Sequence, residues 1–236
     1  MPLSTLRRSA VALAGSALCC GFALPASADA ADPMNELRLG GETIFYHAVA
    51  DDLTGPYVPA GVNFHFVNYQ AIYWAYVRSL NDNFLIEVAG GYPPLLKTDG
   101  QGPARLGSVA YNGQPISTAR IVAPTAFLEY EFGTAEWKLR PFVGVGINYT
   151  NFYDRRSTGE GDAASGGPTK ISLPASFGPA ATAGLSYRFA ERWHAYASYS
   201  LVKVDTRLTA VTGDVERTSH IEFHPQVLTV SVGYSF

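Results

Sequence analysis

Apolar and polar positions alternate along this chain in short runs, most cleanly in the last one. Leu228, Val230, Val232, Tyr234 and Phe236 fall on one side of it, and Thr229, Ser231, Gly233 and Ser235 on the other. Successive side chains of a strand point to opposite faces, so this segment is a strand with one greasy face and one small, polar face. The same period recurs in residues 193–201, 181–189, 139–150, 121–132 and 84–96. The first strand covers 36–50 and a second covers about 62–80, where 71–77 is apolar on both faces and gives no inward side.

Eight strands result, and the segments between them alternate in length. Short connections at 81–83, 133–138 and 190–192 predict tight hairpins, whereas 51–61, 97–118, 153–178 and 208–219 are long and rich in Gly, Pro, Asp and Ser. An even number of antiparallel strands with short turns at one end and long loops at the other is the plan of a transmembrane β-barrel, its short end toward the periplasm. The fold class is therefore all-β, an eight-stranded antiparallel transmembrane barrel. Aromatic residues gather at the short-turn end: Tyr130, Phe132 and Trp137, Tyr187, Phe189 and Trp193, then Tyr234 and Phe236. Amphipathic rings favour a headgroup boundary, so this cluster predicts a membrane girdle.

The N-terminus carries an address. Arg7 and Arg8 precede an apolar run over 10–24 and the small-residue site Ala26, Ser27, Ala28, which is the order of a secretory signal peptide. Residues 1–28 are read as a cleaved signal and 29–236 as one barrel domain. Cys19 and Cys20 both lie in the signal, so the mature chain has no disulfide, thiol nucleophile or cysteine-held zinc. Loss of two arginines takes the net charge from −3 to −5, a balance that argues against nucleic acid as a partner.

The inward faces carry the candidate chemistry. Near the short-turn end they hold Arg38, Glu42, Glu87, Glu129, Glu131, Arg140 and Arg188. An eight-stranded barrel is barely wide enough for its own side chains, and buried charges persist only when paired. These seven residues are therefore expected to form an ion-pair plug that closes the periplasmic floor. Higher in the lumen the inward positions include Ala89, Phe127, Phe142, Gly144, Gly146, Asn148 and Thr150, a lining suited to greasy molecules rather than ions, or equally to plain steric filling of a small barrel. Pro124, Pro179 and Pro225 fall within or at the ends of three different strands, where a missing N–H marks a bulge or a strand terminus, the commoner case, or breaks the pairing enough to open a side exit.

Other motifs carry little. Gly144-Val145-Gly146 lies in mid-strand with no helix after it, so it is no dinucleotide loop. His47, His65, His194, His220 and His224 lack metal-ligand spacing, and no Ser, His and acid set stands out as a triad. No catalytic residue, metal or cofactor is expected.

The stretch Arg140-Pro141-Phe142-Val143-Gly144-Val145-Gly146-Ile147-Asn148-Tyr149-Thr150-Asn151-Phe152-Tyr153-Asp154 resembles the OmpW/AlkL family of small outer-membrane channels. Supporting pieces follow in order: Ala123-Pro124-Thr125, Glu129-Tyr130-Glu131-Phe132, Ser176-Phe177-Gly178, Ala183-Gly184-Leu185-Ser186-Tyr187 and the closing Val232-Gly233-Tyr234-Ser235-Phe236. The resemblance implies a narrow apolar channel in the bacterial outer membrane that admits small hydrophobic compounds and releases them sideways through its wall. Phe177, where that family usually carries Trp, then joins Leu85, Ala89, Phe127 and Phe142 in the expected path. The partners implied are outer-membrane lipid, small hydrophobic solutes and, through the C-terminal strand, the barrel-assembly machinery, with the protein a monomer. The alternative is a structural or adhesive surface barrel that works through its long loops.

Overall fold

The computed structural model describes residues 34–46, 48–93, 95–106 and 109–236. The signal reading over 1–28 lies outside these described residues. Eight strands make the barrel: β1 (Asn35–Phe45), β2 (Tyr69–Ser79), β3 (Phe84–Gly91), β4 (Thr125–Glu131), β5 (Leu139–Ser157), β6 (Ser176–Arg188), β7 (Trp193–Val202) and β8 (Gln226–Ser235). Each pairs antiparallel with the next, and β1 pairs with β8 over Glu36–Phe45 to close the cylinder. Closure matters because hydrocarbon offers no partner for a free N–H or carbonyl, so an open edge could not cross the bilayer.

Alternation sets the faces. Val145, Ile147, Leu39 and Val230 are each more than 60% exposed, although they are among the most apolar side chains of the barrel. A belt of exposed aliphatics this large is stable only against lipid. Phe84, Tyr130 and Phe132 stack in sequence with centroids 5.1 and 5.0 Å apart, and Trp193 meets Tyr234 at 5.0 Å, which builds the girdle at the short-turn end. Both chain ends of the barrel lie there too, with Phe236 N–H donating to the Asn35 carbonyl at 2.8 Å. In β2 the ambiguous stretch resolves with Tyr73, Ala75 and Val77 buried inside and Ile72, Trp74 and Tyr76 outside.

The segments expected as long loops are largely ordered β-structure. Strands at Leu95–Gln101 and Pro115–Val122 pair with each other, and Val204–Thr212 folds back on Val215–Phe223. Their Gly, Pro, Asp and Ser content suggests loops, but their polar residues face largely outward while Leu208, Ile221, Ile116 and Leu96 point inward and pack with Phe64, Phe66, Phe152 and Phe223. The upper hairpins thus share an apolar core of their own. At the outer rim Lys203 and Glu222 pair at 2.9 Å, and that hydrogen bond holds the Glu222 carboxyl below its ordinary range. A short helix, α1 (Gly159–Ser165), fills the segment after β5; Thr158 caps it by accepting from the Gly161 N–H, and Gly166 ends it at φ 84°. The single strand expected over 121–132 is two, divided at Ala123 and Pro124.

Small residues set how closely the wall can pack. A Cβ on Gly40 would run into the Val230 carbonyl and come within 2.5 Å of the Ser231 Cα, both on the neighbouring β8 backbone. Gly40→Ala should therefore destabilise the barrel by about 1–3 kcal/mol, the usual cost of overpacking, read from its urea midpoint in lipid vesicles. An unchanged midpoint would mean that β1 and β8 are not so close.

Candidate functional site

The floor of the lumen is built around one guanidinium. Arg38 on β1 pairs with Glu36 at 2.7 Å, with Glu87 on β3, and at 3.6 Å with Glu129 on β4, and all four residues are buried. The strands deliver them by register, since even positions of β1 point inward together and Leu85 and Phe127 sit across the β3–β4 ladder from Glu129 and Glu87. Further donors hold the carboxylates. The Tyr73 hydroxyl donates to Glu87 at 2.9 Å, those of Tyr196 and Ser235 donate to Glu36 at 2.8 and 3.1 Å, and His194 Nδ1 lies 3.0 Å from Glu36. The Arg38 guanidinium stacks over the Tyr196 ring, 3.7 Å from its centroid.

Nearer the periplasmic turns, Arg140 pairs with Glu131 at 2.8 Å and donates to the Asp82 and Phe132 carbonyls at 2.5 and 3.2 Å. Arg188 stands at the rim, where it donates to the Glu136 carbonyl at 3.1 Å rather than to a carboxylate. Of the seven expected plug residues, six reach the floor or its rim. Glu42 does not: it belongs to the cavity above. The structure adds Glu36, Tyr73, Tyr196 and His194 to the cluster. Glu36 shares the inward parity of Arg38 and was legible for that reason; Tyr73 was hidden in the stretch that is apolar on both faces.

Above the floor lies a cavity of about 110 Å³. Ala89, Phe127 and Asn148 line it, together with Glu42, Tyr46, Tyr69, Tyr73 and Glu87 and, higher up, Phe152 and Phe223. Leu85 and Phe142 are buried inside the barrel but do not border this cavity; the Phe142 ring packs over Gly184, within 2.6 Å of where a Cβ there would sit. Phe177 is a correction. It faces outward, 77% exposed, its ring 4.7 Å from that of Tyr149 on the same outer surface, as its odd position beside Ala181 and Ala183 dictates.

The wall beside the cavity is interrupted. The β3–β4 ladder runs up to Ala89 opposite Thr125, and pairing resumes only at Leu95 opposite Arg120. Among the described residues no ladder pair joins Gly90–Pro93 to Ile121–Pro124; Pro93 and Pro124 have no N–H to give. Gly90, Gly91, Tyr92, Ile121 and Ala123, from both margins of this interval, line the cavity. The β5 side of the same segment is secured: Tyr149 N–H donates to the Pro124 carbonyl at 3.0 Å, and Asn148 Nδ2 donates to Thr125 Oγ1 at 2.8 Å. Pro179 and Pro225 differ from Pro124. Pro179 sits in a continuous ladder opposite Ile147, and Pro225 only leads into β8.

This geometry can be set against known proteins. The family model described as OmpW matches residues 96–236. The chain belongs to the OmpW family. Outer membrane protein W of Vibrio cholerae serotype O1 is 32% identical over 155 residues, covering 66% of this chain and 68% of that one. Among solved structures, the OprG outer membrane protein of Pseudomonas aeruginosa superposes with a TM-score of 0.74 at 18% identity, covering 86% of this chain and 96% of that one. The outer membrane protein AlkL in lipid bilayers gives 0.61 at 19% identity, over 90% of this chain and 95% of that one. This OmpW-family chain is an outer-membrane β-barrel of eight strands in a bacterium, with lipid around its wall.

Proposed function

We propose that this barrel is a passive channel for small hydrophobic molecules, which descend from the outer face into the lumen and leave sideways between β3 and β4 into the membrane. One observation carries the reading. The cavity is closed below by the Arg38 cluster and reaches the wall where the β3–β4 ladder is interrupted. A solute that enters it meets buried charge beneath and a gap bordered by Gly90, Gly91 and Ala123 at the side. For a polar solute neither route is favourable, because the floor has no free passage and the gap opens on hydrocarbon. For an apolar solute the sideways step removes its surface from water, worth about 25 cal/mol per Å². In this reading the barrel acts as a monomer, and β8, paired with β1 and β7, is the segment offered to the assembly machinery.

The test compares cells with and without the protein for the uptake of a hydrophobic fluorophore and of a small sugar. The expected result is faster fluorophore uptake with unchanged sugar permeability. Equal fluorophore uptake, or a raised sugar permeability, would overturn the channel as drawn.

A further inference from the structure

We propose that the lumen cavity selects apolar molecules that carry a protonated amine, with Glu42 as the group that binds the ammonium. This deepens the channel reading and rests on it. Glu42 is inward on β1, with Ala71 of β2 directly across and Tyr69 and Tyr73 diagonal to it on the same face. Tyr46 follows on the inward side of the same segment, its ring 5.7 Å from that of Tyr69. The carboxylate rests against Gly91 at the margin of the wall gap, where an added Cβ would collide with its oxygen. A solute leaving by the gap passes this group.

The charges point one way. Glu42 and Glu87 line the cavity, and among the described residues no Lys, Arg or His does. Glu87 is already engaged by Arg38 below and by the Tyr73 hydroxyl. Glu42 has no ion pair and no hydrogen bond among the described residues. A half-buried carboxylate without a partner is costly, and proteins normally satisfy such a group. Here the missing partner is a cation. Arg38 and Arg120 are committed elsewhere: Arg38 to its three carboxylates, and Arg120, on the outward face, to the Pro93 carbonyl at 3.1 Å and Asp154 at 3.8 Å. An ammonium beside Glu42 would lie among the rings of Tyr46, Tyr69 and Tyr73, whose faces attract cations, while its hydrocarbon tail would lie against Phe127 and Ala89. A fatty acid of the same length would bring a second negative charge into the same space and be excluded.

Three eight-carbon probes separate these ideas: octylamine, octanol and octanoate, titrated against the barrel in phosphatidylcholine nanodiscs with empty discs subtracted. Octylamine should bind roughly tenfold tighter than octanol, with octanoate the weakest, because a carboxylate and an aromatic surround act together on the cation. In Glu42→Gln octylamine should fall to the affinity of octanol, with octanol unmoved and the protein still heat-modifiable on gels. Equal affinities in the parent protein, or a preference for the amine that survives Glu42→Gln, would overturn the assignment. Octanol that fails to bind at all would strike instead at the apolar channel, so the two failures are told apart.

Discussion

Arg38→Leu should prevent the barrel from reaching its compact, heat-modifiable form. The guanidinium is the shared partner of Glu36, Glu87 and Glu129, all of them buried, and its removal leaves three carboxylates inside a narrow lumen with His194 beside Glu36 but, among the described residues, no ion-pair partner for Glu87 or Glu129. Breaking a buried pair by deleting one partner typically costs about 3–5 kcal/mol, because the remaining charge stays desolvated. Here the deleted partner serves three charges. The second half of the result is a rescue: adding Glu87→Gln and Glu129→Gln to Arg38→Leu should recover most of the lost stability, because the acids rather than the missing cation are then neutralised. Urea titration in lipid vesicles, followed by the gel shift between boiled and unboiled protein, reads both. A single variant within about 1 kcal/mol of the parent, or no rescue by the acid replacements, would show that the floor is not held by this cluster.

The same cluster shows what the sequence could and could not reveal. Alternation gave the faces of β1, β3, β4, β5, β6, β7 and β8 because lipid and lumen impose opposite demands on neighbouring side chains. Arg38, Glu87, Glu129, Glu131 and Arg140 were therefore legible as inward charges. Which of them would meet was not, because partnership depends on the shear of one strand against the next, and that is a property of the closed cylinder. Glu42 illustrates the limit: its parity is that of Arg38, yet it stands four residues further along β1 and reaches the cavity instead of the floor. Tyr73 was obscured because both faces of 71–77 are apolar, a pattern without a period. The hairpins above the membrane look like loops because segments such as 97–118 and 208–219 are rich in Gly, Pro, Asp and Ser and their outward residues, such as Glu216, are polar. Their inward partners, Leu208 and Ile221, bury against other hairpins that are distant in sequence. Phe177 failed for the opposite reason: family resemblance placed it in the path, while its own parity put it on the lipid face.

Parity of this kind also gives the sharpest test of the path. Ala89 borders the cavity, faces Ala75 on one neighbouring strand and Thr125 on the other, and lies at the last β3–β4 pair below the wall gap. An indole at this position would occupy much of a cavity of about 110 Å³ and stand across the way to Gly90 and Gly91. Ala89→Trp should therefore reduce fluorophore uptake to the level of cells that lack the protein, while the gel shift reports that the barrel still folds. Phe177→Asp should do the reverse. Its side chain meets lipid near the outer boundary, where an acidic residue costs no more than about 1 kcal/mol, so uptake should persist through a slightly weakened barrel. Full uptake through Ala89→Trp would place the route elsewhere than this cavity. Loss of uptake in a folded Phe177→Asp barrel would mean that the outer surface beside Tyr149, and not the lumen, carries the solute.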